Sequence, residues 1–152
     1  MGNIYDELKQ SKRFADPRQE AVIALLRTAD VLRGRIETAL LPHQISPEQY
    51  NVLRILRGAP DHRLPTLEIA SRMITRAPNI TRLIDKLVQK KFASRCDHDR
   101  DRRVVVVQLT PKGLDLVNAI SATINNLDAQ GLEALSKAQV ATLIEILDAV
   151  RS

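Results

Sequence analysis

At 152 residues the chain has the length of one domain, able to bury a core but leaving little room for a second unit. Its single cysteine excludes an intramolecular disulfide framework and fits a reducing compartment, and no run approaches the roughly 18 apolar residues of a membrane span, so a cytoplasmic location with no membrane partner is expected. Lys and Arg number 23 against 18 Asp and Glu, a net charge of +5 that is concentrated between Arg72 and Lys112: eleven basic residues face four acidic ones there, which points to a polyanionic partner for that segment.

The first fifteen residues, with the stretch DELKQSKR, are polar and predict a mobile arm. Helix starts are then written as a capping residue before proline, at Asp16-Pro17, Ser46-Pro47 and Thr110-Pro111, because proline's fixed φ suits the first helical position and its missing donor is harmless there. Gln19, Gln49 and Gln139 follow Asp16, Ser46 and Ser136 at the spacing of a capping box. From Pro17 to about Leu41, Val22, Leu25, Leu26, Ala29, Leu32, Ile36 and Leu40 keep helical spacing, a stripe too long for a small domain to bury by itself. A second helix is predicted from Pro47 to about Arg57, closing at Gly58, and a short third over TLEIASRMI, Thr66 to Ile74.

The fourth helix, PNITRLIDKLVQKK, gathers Ile80, Leu83, Ile84, Leu87 and Val88 on one apolar face and leaves Pro78, Arg82, Asp85, Lys86 and Gln89 opposite, with Asn79 at the margin. One face packs and the other is free to read a partner. ASRCD and VVVVQLT are two short strands, the second β-branched throughout its start, and the charged run between them cannot be buried and must form a tip. Helices follow from Pro111 to about Gln130 and from Lys137 to Val150, so the fold class is mainly α with a small β-hairpin.

Two short helices with a tight connection, the second presenting a basic polar face, make a helix-turn-helix whose second helix fits the major groove. The hairpin then holds a flexible tip beside that helix, carrying Arg100, Arg102 and Arg103 but no lysine. Forked guanidinium donors of this kind suit backbone phosphate or a narrow, electronegative minor groove.

LPTLEIASRM, NITRLIDKLVQKKFASR and DRDRRVVVVQLTPKG, preceded by ISPEQYNVLRIL, resemble the winged helix-turn-helix of MarR-type transcriptional regulators over roughly residues 20 to 150. The resemblance implies a single regulator domain, 1-152, in which a DNA-binding lobe, 46-110, is flanked by dimerisation helices, 17-41 and 111-152. It further implies a homodimer that binds a pseudo-palindromic double-stranded DNA operator, usually represses, and releases DNA when a small-molecule effector binds. On the family's pattern the groove helix falls on Pro78 to Lys90, and the acidic residue and arginine of the wing on Asp101 and Arg103. The residues assigned to DNA contact are Arg76, Pro78, Asn79, Thr81, Arg82, Lys86, Arg100, Asp101, Arg102 and Arg103. The family's ligands sit between the dimerisation helices and the DNA-binding lobe, which points to Leu41 through Tyr50 and the first helix.

The chain departs from that pattern twice. Lys91 stands where a glycine usually ends the groove helix, so the turn needs a non-glycine residue or another geometry. Pro65 stands where Ser or Thr usually caps, with Thr66 the expected substitute.

Other functions are less well written. Asp85, on the groove side, is expected to pair with Arg82 or Gln89. Asp97, Asp99 and Asp101 alternate like calcium ligands, but a calcium loop counted from Asp97 would need glycine and glutamate where Arg102 and Gln108 stand. His43, His62 and His98 have no ligand spacing and are expected to be solvated, so neither metal nor cofactor is expected. Cys96, between Arg95 and Asp97, offers a redox-sensing alternative, and an architectural DNA-binding protein without effector is the other. No nucleophile elbow, phosphate loop, dinucleotide fingerprint or zincin motif occurs, so an enzyme is not expected.

Overall fold

The computed structural model describes residues 3–98 and 100–152. Helix α1 (Ile4–Glu7) is followed by the long α2 (Pro17–Leu40), a 3-10 turn at Leu41–His43, and α3 (Pro47–Gly58). After a second 3-10 turn come strand β1 (Arg63–Pro65), the short helix α4 (Thr66–Ser71) and α5 (Ile80–Gln89). Strands β2 (Ala93–Asp97) and β3 (Val105–Leu109) form the wing, and α6 (Pro111–Gly131) and α7 (Lys137–Arg151) complete the chain.

The caps explain why the helices begin where they do. Ser46 and Ser136 each close a capping box, with Gln49 and Gln139. Asp16 forms no box: its carboxylate accepts from the Arg18 amide at 2.9 Å, and the Gln19 side chain does not reach back to it. Thr110 accepts the Gly113 amide at 3.0 Å to start α6 and donates its hydroxyl to the Lys91 carbonyl at 2.7 Å, so the same side chain ties α6 to the end of α5.

The core lies between these elements. Leu40 of α2, Val52, Leu53 and Leu56 of α3, Ile69 of α4, Ile84 and Leu87 of α5, Val107 of β3, and Val117 and Ile120 of α6 are all buried. The sheet is antiparallel in the order β1-β3-β2, with Leu64 opposite Val107 and Cys96 opposite Val106. Of the valine run, Val107 packs in the core, Val106 is buried on the other face of the strand, Val105 is exposed, and Val104 lies before the strand.

Several expectations are corrected. The polar N-terminal arm contains a helix: Asn3 caps α1, Ile4 is buried on α2, and the Arg13 guanidinium lies 5.7 Å from the centre of the Tyr5 ring. Strand β1 was not foreseen, because three residues ending in proline carry no period of their own and pair only once β3 is beside them. The third helix stops at Ser71 instead of Ile74, and the fourth starts at Ile80, leaving Pro78 and Asn79 in the turn before it. Thr66 does not cap α4; it is that helix's first residue, and its hydroxyl donates to the Val105 carbonyl at 3.3 Å.

At the other end of α5 the missing glycine is resolved by strain. Lys91 adopts the left-handed conformation, φ 64°, its amide donates to the Val88 carbonyl, and the Phe92 amide donates to that of Leu87, each at 3.0 Å. This is the Schellman arrangement with a lysine in the position glycine prefers.

Candidate nucleic-acid interface

The lobe that presents α5 is anchored from behind. Arg33 of α2 pairs with Glu48 of α3 at 2.7 Å and with Glu37 at 2.9 Å. Burial alone pushes the Glu48 carboxyl up, but the Arg33 hydrogen bond and charge, together with hydrogen bonds from its own backbone amide and from Ser46, outweigh that and hold it below the usual carboxylate range. Lys90 donates its ammonium to the Gln44 carbonyl, and Lys112 donates to the Lys90 carbonyl at 3.2 Å while lying 5.0 Å from the centre of the Phe92 ring.

On α5 the buried side is Ile84 and Leu87, and Thr81, Arg82, Lys86 and Gln89 are exposed, with Pro78 and Asn79 exposed just ahead of the helix. Asp85 is half-buried and pairs with Arg95 on β2, not with Arg82 or Gln89. The tight turn at Lys91 brings β2 back alongside α5, so the carboxylate meets a cation from the wing before it meets one on its own helix.

Side-chain to backbone hydrogen bonds link the described residues of the wing tip. Nδ1 of His98 accepts the backbone amides of Arg100 and Asp101, both at 3.1 Å, and the Asp101 amide-to-tip path continues as its carboxylate accepts the Arg103 amide at 2.9 Å and Arg103 Nε at 3.3 Å. His98 is half-buried and used, contrary to the expectation of a solvated histidine. Asp99, in the alternating acidic run, lies outside the described residues. Cys96 is half-buried on β2, its thiol directed at the Val106 carbonyl 3.7 Å away.

Pairing divides the cations of the basic segment into two groups. Arg72 is held by Glu68, Arg95 by Asp85, Arg103 by Asp101, and Lys90 and Lys112 by backbone carbonyls. Arg76, Arg82, Lys86, Lys91, Arg100 and Arg102 are exposed and their side chains make no hydrogen bond or ion pair with other described residues. The second group lies on the turn before α5, on α5 itself, on the turn after it and at the wing tip. A cavity of about 310 Å³ opens between β1, the start of α4, α5 and the wing base, lined by Pro65, Leu67, Thr81, Ile84, Arg95 and Arg103 among others.

One residue of the lobe escaped the sequence reading. Asn51, in the middle of α3, is buried and accepts the Ile74 amide at 2.8 Å, reaching the turn between α4 and α5. The available signal was a polar residue one helical turn before Ile55, but its partner lies 23 positions away.

A sequence model of the MarR family matches residues 45–105, which hold α3, β1, α4, α5, β2 and the tip. The HTH-type transcriptional regulator MhqR of Bacillus subtilis (strain 168) is 31% identical over 98 residues, 64% of this chain and 66% of that protein, so the match spans just under two thirds of that regulator's length. The crystal structure of a MarR transcription factor from Planctomyces limnophilus is 34% identical, with a TM-score of 0.67 over 90% of this chain and 99% of that one. A MarR family regulator from Streptomyces coelicolor, solved in complex with DNA, has a TM-score of 0.81 over 93% of this chain and 91% of that one, a likeness of fold at 21% identity.

Proposed function

The chain belongs to the MarR family, and from that premise we propose that it is a sequence-specific DNA-binding transcriptional regulator acting as a homodimer on a pseudo-palindromic operator. The observation that carries this reading is the grouping of the unpaired cations. Arg72, Lys90, Arg95 and Lys112 are engaged within the lobe, whereas Arg82 and Lys86 project from the outer face of α5, Arg76 from the turn before it, and Arg100 and Arg102 from the wing tip, beside Arg103, whose long pair with Asp101 leaves its side chain 92% exposed. In this reading α5 enters the major groove, with Pro78, Asn79, Thr81 and Arg82 at its leading end, and the wing reaches the neighbouring backbone or minor groove.

The dimer is supported by uncovered apolar surface at the opposite end of the chain. No residue of α7 is buried, and Ile144, Ile146 and Val150 are 55%, 54% and 63% exposed, as are Val22 and Leu26 of α2 at 54% and 67%. Such a surface is the mark of a partner, and a second copy of the same helices supplies a complementary one. On this reading residues 17-41 and 111-152 are the dimerisation helices and 46-110 the DNA-binding lobe.

A dimer seated on an operator blocks other proteins from the same DNA, so repression is the proposed sense of regulation. An effector bound at the junction of α2 with Leu41–Tyr50 would lower affinity by favouring a dimer whose two α5 helices no longer match the spacing of the half-sites. Footprinting of the purified protein on DNA flanking its own gene tests the reading: protection of a short two-fold-related site over bulk DNA is expected, and protection without site preference would overturn it.

A further inference from the structure

We propose that Asn51 is a positioning residue that sets the groove helix in register, so that α5 discriminates operator from bulk DNA. The inference rests on the reading of α5 as the groove helix.

The connection from α4 to α5 is long and thinly held. α4 has six residues, and Met73, whose amide donates to the Ala70 carbonyl at 3.4 Å, is the last to bond back to it. Among the described residues, the next hydrogen bond donated by the backbone after Met73 is from Ile74 to Asn51, and the one after that is from Leu83, already within α5. Met73 and Ile80 pack on the core at the two ends, but neither fixes how far the chain between them slides. A hydrogen bond does, because it is directional and fails beyond a few tenths of an ångström.

Asn51 is an unusual choice for its place. Gln49, Tyr50, Asn51, Val52 and Leu53 are all buried, Asn51 to 5% exposure. Its Oδ1 takes the Ile74 amide, but Nδ2 is buried with no partner. An orphaned amide donor costs stability, and a leucine, with the same branching but methyls in place of the amide, removes that cost and adds apolar contact against its extra bulk. What leucine would not supply is the acceptor that places the turn. A buried asparagine can define register at the expense of stability, as a single core asparagine does in coiled coils. The residues whose position follows from that turn are Arg76, Pro78, Asn79, Thr81 and Arg82.

The test compares wild type, Asn51→Leu and Asn51→Asp, the last of which keeps an acceptor oxygen, in thermal unfolding and in binding to operator and to bulk DNA at one fixed salt concentration. Asn51→Leu is expected to keep its fold, with an unchanged or higher Tm, yet to lose about ten-fold in the ratio of operator to bulk affinity, the scale of one mismatched base pair. Asn51→Asp should recover most of that ratio. An Asn51→Leu protein that keeps the wild-type ratio overturns the proposal, as does one whose operator and bulk affinities fall together with its Tm. Amide exchange in the unaltered protein needs no variant: Ile74 should be protected relative to Thr75 and Arg76, and equal exchange also overturns the proposal. A wild-type protein that shows no operator preference would instead sink the reading of α5 beneath it.

Discussion

Gly113 packs so closely on the backbone of Phe92 that a Cβ at that position would lie 2.0 Å from the Phe92 carbonyl oxygen. Gly113 is in the first turn of α6, and Phe92 joins α5 to β2, so this contact sets the wing against α6. The obstacle is backbone and cannot rotate away. Gly113→Ala should destabilise the protein by about 2 to 3 kcal/mol through overpacking. Thermal unfolding reads the effect, and an unchanged Tm would mean that α6 and the turn separate without cost.

Lys91 holds a left-handed conformation at φ 64° in the Schellman turn after α5. Lys91→Gly relieves that strain at some cost in chain entropy and should stabilise the protein by about 0.5 to 1 kcal/mol. Lys91→Val, β-branched, should destabilise it. Denaturant titration with an unchanged slope checks both, and a Gly variant less stable than wild type would show that the lysine side chain contributes more than its backbone costs.

The helix faces and caps were legible because their causes are local. Ser46 and Gln49 lie three residues apart, as do Ser136 and Gln139, and the apolar face of α5 follows from the helical period alone. What was missed depends on partners far along the chain. Strand β1 exists because β3 offers a register, Asp85 chooses Arg95 because a tight turn folds β2 beside α5, and Asn51 finds Ile74 across 23 positions. His98 was passed over for another reason: tip turns are held by side chains bonding to backbone, a role that depends on loop geometry and not on composition.

The Arg33–Glu48 pair gives α2 and α3 an acid-sensitive link. The Glu48 carboxyl is held below its ordinary range in the folded state. A depressed carboxylate stabilises the fold above its unfolded pKa, and that contribution is lost as pH falls through the folded value. The effect should therefore fade below about pH 4.5, and for a partly exposed pair it is about 0.5 to 1 kcal/mol. Glu48→Gln should be less stable than wild type at pH 7 and converge with it in acid. Parallel stability curves across that range would remove the pair from the acid response.

Truncation of residues 136–152 removes α7, none of whose residues is buried within the chain. On the proposed reading the shortened protein should keep the fold of its DNA-binding lobe and lose the dimer, and with it operator binding. Circular dichroism and sedimentation measure the two halves of that expectation. A stable dimer of the truncated chain would place the interface elsewhere.

Arg103 and Asp101 give the wing its most discriminating test. Arg103 Nε lies 3.3 Å from the Asp101 carboxylate, yet the arginine side chain is 92% exposed, so the pair is long and solvated and contributes little as an ion pair. The firmer contact is the 2.9 Å hydrogen bond from the Arg103 amide to the same carboxylate. Asp101 therefore shapes the tip through backbone, and the Arg103 guanidinium is available to a partner. On the proposed reading Arg103→Ala should flatten the dependence of log K on log salt by about one unit and abolish a preference for A·T-rich flanks, which narrow the minor groove. Asp101→Ala should loosen the tip, weakening binding on all flanks alike, because the guanidinium remains but its anchor is gone. Salt-titrated binding of both variants to operators with A·T-rich and G·C-rich flanks separates the two roles. If Arg103→Ala keeps the wild-type slope and flank preference, Arg103 has no place in the DNA interface, and Arg100 and Arg102 are left as the contacts of the wing.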